Sequence, residues 1–212
     1  QELEIIHAQT ARRAGYLQAT AELARATSAL LDPQELLDRA VVLVSQGLGL
    51  YHASVFMVDD AEDWAVLVAA SSEGGQRMLA RGHRLRVGRQ GIVGWVADSG
   101  EPRIALDVGE DAVFFDSPDL SETRSEVALP LRVGGRVIGV LDVQSKREAA
   151  FSDEDTVVLQ TLADQIAIGI QNARLFQETQ RALDEVQALQ RYYVAQEWGR
   201  ASVQRSGFQA EY

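Results

Sequence analysis

The chain has 212 residues, enough for one domain of about 150 residues with helical extensions, and its 46% hydrophobic and 24% charged residues are ordinary for a folded protein. Its net charge of -11 disfavours nucleic acid and anionic membrane surfaces as partners, because like charges repel. The absence of cysteine excludes disulfides, thiolate catalysis, iron–sulfur clusters and thioether-linked chromophores.

The first 31 residues predict a signalling helix, since they are rich in Ala, Glu, Gln and Arg and contain no proline. Apolar and small side chains recur there at the four-then-three spacing of a coiled-coil seam, at Tyr16, Thr20, Leu23, Thr27 and Leu30. Asp32-Pro33 then predicts the N-cap and first residue of a second helix, which ends at Gly47-Leu48-Gly49.

The middle of the chain predicts strands and short helices. Two β-rich runs, 51–58 and 64–71, flank an acidic turn and predict a hairpin. A short helix at 76–80, a brief strand at 83–87 and a helix at 91–98 follow, and residues 107–123 form a long loop with no clear period. Two apolar runs about Gly134-Gly135, 127–133 and 136–144, predict a second hairpin whose strands are covered on both faces.

A last helix is predicted from Glu154 to Trp198, with Ser152 as its N-cap. Its first part carries a broad apolar face, which is typical of packing on a sheet, and its later part narrows to a thin seam of four-three spacing. The seam residues are Leu175, Thr179, Ala182, Val186, Leu189 and Tyr193. We therefore expect a helix that packs on its own domain and then pairs with a second copy in a parallel homodimer.

Three stretches occur in a distinctive order, VGRQGIVGWV at 87–96, SEVALPL at 125–131 and GRVIGVLDV at 135–143, and FSDED follows them at 151–155. Together they resemble the GAF domain, of the kind found in bacterial sensor histidine kinases and related multi-domain signalling receptors. The resemblance implies an α/β (α+β), PAS-related fold: a six-stranded antiparallel sheet with helices on one face and a ligand pocket on the other. The pocket is expected beneath the crossing formed by residues 83–123. The expected division is a signalling helix at 1–31, the GAF domain at 32–176, and a C-terminal linker helix and tail at 177–212.

The crossing and the strand after it hold the candidate pocket residues. Gly91 belongs to a glycine string at a helix start, which could present amides to an anion, although a tight turn with close helix packing is the preferred interpretation. Aromatic side chains there could line an apolar wall or serve as core anchors, and polar ones could bind a ligand or form local ion pairs. These aromatic and polar candidates are Trp95, Phe114 and Phe115, and Asp107, Arg124 and Glu126.

The resemblance also raises the question of cyclic nucleotides. Lys146, Phe151 and Asp155 match part of the motif of cyclic-nucleotide-binding GAF domains, but two other motif positions differ, so such binding is not predicted. A Lys146–Asp155 pair would instead tie the strand end to the helix start.

Catalysis, cofactors and metals are not predicted. His7, His52 and His83 are the only histidines, and they show no metal-ligand spacing. GAF domains that reduce free methionine sulfoxide rely on cysteines, which this chain lacks. We therefore expect no catalytic residues and no cofactor.

The sequence predicts a regulatory sensor and signal-relay domain of a bacterial signal-transduction protein. The alternative is a ligand-free, GAF-shaped dimerisation spacer, and an enzyme is the weakest hypothesis because no catalytic set is visible. The expected partners are a second copy, the upstream and downstream domains of a longer signalling protein, and an unidentified small molecule. The expected location is the cytoplasm, either free or as the cytoplasmic part of a membrane-anchored receptor.

Overall fold

The fold is given by a computed structural model, which describes residues 14–16, 18–26, 32–111, 113, 115 and 117–207, with 194–207 as backbone alone. Helical residues at 14–16 and 18–26 precede four helices: α1 (Pro33–Leu48), α2 (Glu73–Ala80), α3 (Gly91–Ser99) and α4 (Asp153–Gly207). A 3-10 turn spans Pro118–Leu120. The strands are β1 (His52–Val58), β2 (Trp64–Ala70), β3 (Arg84–Arg86), β4 (Arg103–Ala105), β5 (Ser125–Val133) and β6 (Arg136–Ser145).

The six strands form one antiparallel sheet in the order β3-β2-β1-β6-β5-β4. Both predicted hairpins are present, and the long strands β1, β6 and β5 lie at the centre, as their apolar sequences require. The crossing supplies the two short edge strands, β3 and β4. The expected six-stranded antiparallel GAF-like sheet is thus confirmed, although the sequence did not predict the position of β4.

One face of the sheet packs against α1 and the first part of α4. Alternate residues of the central strands point to this side, among them Val55, Leu129 and Leu141, and all three are fully buried. Leu162 and Ile166 of α4 belong to the same apolar cluster. Complete burial of a leucine contributes about 1.5–3 kcal/mol, so this cluster fixes α4 on the sheet.

The opposite face is covered by α2, α3 and the crossing. A second apolar cluster forms there between the sheet and these elements, with Phe56, Leu67 and Val140 from the strands and Ile92 and Val96 from α3. The sheet is therefore enclosed on both sides, and its second face holds the cavity described below.

The N-terminal helical segment requires a correction. Leu23, predicted to lie in a seam between two chains, is completely buried in the first apolar cluster of its own domain. Tyr16, Ala19 and Ala26 are buried with it, because a stripe at three-and-four spacing also suits a helix that packs within one chain. Leu30 and Thr27 lie outside the described residues.

The chain divides into two compact units, Gln1–Ala173 and Arg174–Tyr212. From residue 174 to residue 193, the side chains of α4 are exposed except that of Gln177, which is half-buried. Leu175, Val186, Leu189 and Tyr193 of the predicted seam are each more than half exposed, and Ala182 is exposed beside them. Among the described residues, no helix has a segment both long and apolar enough to cross a membrane.

We expect Leu23→Ala to lower the free energy of unfolding by about 2–5 kcal/mol, since it leaves a cavity in a packed core. Urea denaturation measures the loss, and Leu183→Ala, a truncation at a half-exposed site, is the control and should cost little. Because Leu23 lies in its own domain, the loss should not vary with protein concentration. If the loss in free energy of unfolding grew as the protein was diluted, Leu23 would lie in an interface between chains.

Candidate functional site

A row of polar side chains crosses the covered second face of the sheet. In β1, β5 and β6 they occupy alternate positions, so they share one face while their apolar neighbours share the other. Strand register places His52 opposite Gln144, Gln144 opposite Glu126, and Ser54 opposite Asp142. All five are buried, with Asp142 only 2% exposed. We call these residues the polar floor: His52, Ser54, Glu126, Asp142 and Gln144.

Hydrogen bonds tie most of the polar floor together. Asp142 Oδ2 accepts from Ser54 Oγ at 3.1 Å and from Gln144 Nε2 at 2.9 Å. Gln144 Oε1 in turn accepts from Thr123 Oγ1 at 2.6 Å, at the end of the crossing. Asp142 Oδ1, by contrast, accepts no hydrogen bond from an N–H or hydroxyl group in the described part of the chain. The Glu126 carboxyl is hydrogen-bonded to the Asp142 side chain, and it is the group that can donate to Asp142 when it carries a proton.

The two carboxyl groups of the floor both have raised pKa values. Burial raises the pKa of Glu126 well above its usual range, and the nearby Asp142 raises it further. Burial also raises the pKa of Asp142, to about 6, although the Gln144, Glu126 and Ser54 side chains beside it act in the opposite direction. Both shifts favour the protonated form, so the pair holds a proton to higher pH than two separate, exposed carboxyl groups would.

The two histidines of the site are uncharged at neutral pH. Burial lowers the pKa of His52 to about 4, and its Nδ1 shares a 2.7 Å hydrogen bond with Ser72 Oγ. Burial, then the charge of Arg81, lower the pKa of His83, whereas Asp119 raises it. The His83 ring lies between Phe56 and Phe115, and its buried Nε2 has no partner among the described residues.

A cavity lies between the polar floor and the crossing. Its walls are apolar, formed by Phe56, Met78, Leu85, Ile92 and Phe115, and His83 and Gly91 also line it. Measured as the space open to the centre of a water-sized sphere, it has a volume of about 30 Å³, room for roughly two water molecules. Phe115 is 39% exposed and thus stands between the cavity and solvent. A larger ligand requires the crossing to move.

Two glycines of α2 allow close contacts with the crossing and with the polar floor; α2 and the crossing together form the cover of the cavity. A Cβ at Gly74 would collide with the carbonyl oxygen of Asp119, and one at Gly75 would collide with the His52 ring. The same pair explains why the sequence predicted this helix only from residue 76, although α2 begins at Glu73, since glycine is about 1 kcal/mol less favourable than alanine in a helix.

Ion pairs fasten the 3-10 turn of the crossing to α2. The Asp119 carboxylate accepts a 2.9 Å hydrogen bond from Arg77 Nε and a second hydrogen bond from Arg81. Hydrogen bonds from Arg81 and then Arg77 lower the pKa of Asp119 below its usual value. The cover is thus held by charge as well as by packing.

The structure brings three of the predicted pocket residues to the cavity: Gly91, Phe115 and Glu126. Gly91 has φ +71°, and a Cβ added to it would lie 3.1 Å from the Cβ of Phe115. Gly94, further along the string, packs against the carbonyl oxygen of Arg86. These contacts favour the tight-turn interpretation of the glycine string.

Three other predicted pocket residues, Trp95, Asp107 and Arg124, lie outside the cavity lining. The Trp95 ring is covered by the Arg103 guanidinium, 5.1 Å from its centroid. Asp107 accepts a 3.0 Å hydrogen bond from the amide of Gly109. Arg124 is exposed and pairs with Glu148. Phe114 lies outside the described residues.

The expected Lys146–Asp155 pair is also replaced by other contacts. Lys146 Nζ is 2.8 Å from Glu122 Oε1 and lies over the Tyr51 ring. Asp155 instead accepts from Ser152 at the start of α4 and from the hydroxyl of Tyr16.

Sequence reasoning missed four of the five floor residues. Only Glu126 was among the candidates, while His52, Ser54, Asp142 and Gln144 were absorbed into predicted strands. The available signal was their position, because each interrupts an apolar strand at every second residue and so points to one face.

Comparison with known proteins identifies the relatives of the chain. A family model described as GAF domain matches residues 31–171. The dual 3',5'-cyclic-AMP and -GMP phosphodiesterase 11A of Takifugu rubripes is 32% identical over 106 residues, covering 47% of this chain and 12% of that protein. A probable 3',5'-cyclic phosphodiesterase of Caenorhabditis elegans is 28% identical over 139 residues, covering 61% of this chain and 19% of that protein. The chain therefore spans less than a fifth of the length of these relatives.

Solved structures share the fold at low identity. The GAF domain of a phosphoenolpyruvate-protein phosphotransferase from Coxiella burnetii has a TM-score of 0.67 at 24% identity, covering 76% of this chain and 95% of that one. A putative GAF sensor protein from Burkholderia vietnamiensis has a TM-score of 0.67 at 21% identity, covering 77% and 98%. Free methionine-R-sulfoxide reductase from Neisseria meningitidis, solved with its substrate, has a TM-score of 0.65 at 23% identity, covering 76% and 90%.

We expect Glu126→Gln to raise the free energy of unfolding at pH 7.5 by about 1–3 kcal/mol. Both carboxyl groups have raised pKa values, so the folded protein binds more protons than the unfolded chain between about pH 4 and 7. The stability that comes from this extra proton binding is therefore lost as pH rises through that range. A neutral amide at position 126 does not titrate, so the variant avoids the part of this loss that Glu126 causes.

Urea denaturation of the two proteins at several pH values between 4.5 and 8 (roughly the range set by the raised carboxyl pKa values) measures this difference. Glu110→Gln, the same change at an exposed site, is the control and should run parallel to the wild type. If Glu126→Gln is less stable than the wild type at pH 7.5, Glu126 is ionised and well paired in the fold.

Proposed function

Because the chain belongs to the GAF domain family, whose members are generally regulatory or sensor domains, we propose that it is the sensor and relay domain of a bacterial signal-transduction protein. A small molecule enters the cavity, shifts the crossing and the central strands, and so alters the packing of α4. The chain acts in the cytoplasm within a longer protein whose other domains deliver or receive the signal.

The observation that carries this proposal is that β6 lines the cavity on one face and, on the other face, belongs to the apolar cluster that holds α4. Asp142 points into the cavity, whereas its neighbours Leu141 and Val143 point to the opposite face and join the cluster that contains Leu162. The strand is buried on both sides, so a displacement of Asp142 by a ligand moves side chains that support the helix. β5 adds a direct link, since Gln160 Nε2 of α4 donates a 3.0 Å hydrogen bond to the carbonyl of Pro130.

The output would leave through the later part of α4. Beyond residue 173 its apolar side chains are exposed at the four-three spacing of a coiled-coil seam, which a second copy in parallel orientation would cover. Small changes in the packing of such a helix pair can shift a downstream domain between two states. This is the proposed homodimer and relay.

One observation favours a second candidate, the ligand-free dimerisation spacer. The cavity is small because the aromatic and aliphatic side chains of the crossing nearly fill it. In that case the domain would only hold the two helices together.

Catalysis is not part of the proposal. The chain contains no cysteine, so thiol-based reduction is excluded even though a sulfoxide reductase shares the fold. Cyclic nucleotides, on which the phosphodiesterase relatives act, carry a negative phosphate that the charge of Asp142 would repel.

We expect the wild-type chain to sediment as a dimer and Val186→Glu or Leu189→Glu to sediment as monomers, because a charge at the centre of a seam is buried without a partner. Sedimentation equilibrium over a range of concentrations measures the change. Ala188→Glu, placed beside the seam on the same exposed helix, is the control and should remain dimeric. A monomeric wild type at high concentration would contradict the relay.

We expect native mass spectrometry of protein purified from its own cells to show one small molecule bound to each chain, lost on denaturation. Hydrogen exchange should then be slower at 141–143 and 159–166 in the loaded protein than after removal and refolding, because the ligand steadies β6 and the helix it supports. Protein that carries no molecule, and whose exchange is unchanged by refolding, would favour the spacer.

A further inference from the structure

We propose that the cavity recognises a compact primary amine in its protonated form, with the ammonium group seated on Asp142 and Glu126 of the polar floor. This inference rests on the sensor function proposed above and names the class of ligand for the same site. It follows from the hydrogen bonds, charge and volume of the cavity.

The hydrogen-bonding argument starts from the carboxyl groups of Asp142 and Glu126, which both line the cavity. An ionised carboxylate only accepts hydrogen bonds, and Asp142 Oδ1 accepts none from an N–H or hydroxyl group of the described residues, although the side chain is only 2% exposed. A proton on Glu126 is the donor that the chain itself supplies, since the Glu126 and Asp142 side chains are hydrogen-bonded to each other. A ligand that displaces this proton must bring an N–H or O–H group of its own, which ligands that present only acceptors cannot do.

The charge argument narrows the donor to a cation. The cationic side chains near the site are already paired, Arg103 with Asp111 and Arg77 and Arg81 with Asp119. His52, the titratable group of the floor beside the two acids, is neutral. A neutral donor would satisfy the hydrogen bond but leave the buried negative charge unbalanced, whereas an ammonium group does both.

The volume and walls limit the rest of the molecule. About 30 Å³ of open space admits only one or two heavy atoms beyond the ammonium nitrogen unless the crossing opens. Phe56, Ile92 and Phe115 face that space and offer apolar contacts to a short carbon chain. Compact alkylamines therefore fit the closed form, and larger amines would have to displace Phe115.

Binding should release a proton. The proton on Glu126 and the ammonium group compete for the same pair of carboxyl groups, so affinity should rise with pH from about 6 to 8 while the amine stays protonated. The other titratable groups that face the pair are His52 on β1, His83 before β3 and Asp111 beside β4. Burial lowers the pKa of both histidines, and that of His52, at about 4, keeps this ring neutral over the whole range.

The test is calorimetric titration of the purified chain with methylammonium and ethylammonium chloride. The matched probe is ethanol, which has about the size of ethylammonium and a hydrogen-bond donor but no charge. We expect the two primary ammonium ions to bind and ethanol to bind about 10- to 100-fold more weakly or not at all. Repeating the titration in buffers of different ionisation enthalpy should show proton release.

Two variants locate the binding. Asp142→Asn keeps the shape of the side chain and removes its charge, and we expect about 10- to 100-fold weaker ammonium binding. Asp107→Asn, the same change outside the cavity lining, should bind as the wild type does. Circular dichroism confirms that both variants are folded, and Glu126→Gln, which retains Asp142, should bind without proton release.

The inference is overturned if no ammonium ion binds, if ethanol binds as well as ethylammonium, or if Asp142→Asn binds as the wild type does. These failures are distinct from failure of the sensor function. A co-purified molecule without a basic nitrogen, seated in the same cavity and slowing exchange in α4, would overturn the amine and leave the sensor standing.

Discussion

The structure depends on three central strands that are buried on both faces. In β1, β6 and β5 the odd-numbered residues face the helices α1 and α4, and the even-numbered residues face the side that holds the cavity. A strand in that position cannot move on one side without disturbing the other, because both sides are packed at the density of a core. The sheet is therefore the physical connection between the cavity and the helices, and the proposed relay needs no separate hinge.

The cover of the cavity is built from different interactions than its floor. Aromatic rings, a pair of α2 glycines and the Asp119 ion pairs hold the crossing in place, whereas the floor is a hydrogen-bonded row of side chains on rigid strands. The ion pairs involve arginines that are more than half exposed, so each contributes little and can open at small cost. The floor stays preorganised while the cover is free to adapt.

Much of the fold could be predicted from the sequence, and much of the site could not. The Gly134-Gly135 turn, the apolar β5 and β6 runs and the long final helix are strong local patterns, and the structure contains all of them. The site depends on register between strands distant in sequence, which places Asp142 beside Ser54 and diagonal to Glu126. Leu23 was placed wrongly for a different reason. The same three-and-four spacing of apolar residues suits a helix that packs within one chain and a helix that pairs with a second chain.

The buried carboxyl pair also discriminates between sensor and spacer on energetic grounds. A domain that only held two helices together would be more stable with apolar side chains at positions 126 and 142. Replacing buried ionic groups by well-packed hydrophobic residues often leaves the stability of a protein unchanged or raises it. Ser54 and Gln144 satisfy one oxygen of Asp142, whereas the other accepts no hydrogen bond from an N–H or hydroxyl group of the described residues and depends on a proton shared with Glu126. A stability cost concentrated at one cavity, in strands otherwise packed without gaps, is what a binding site requires and a spacer does not.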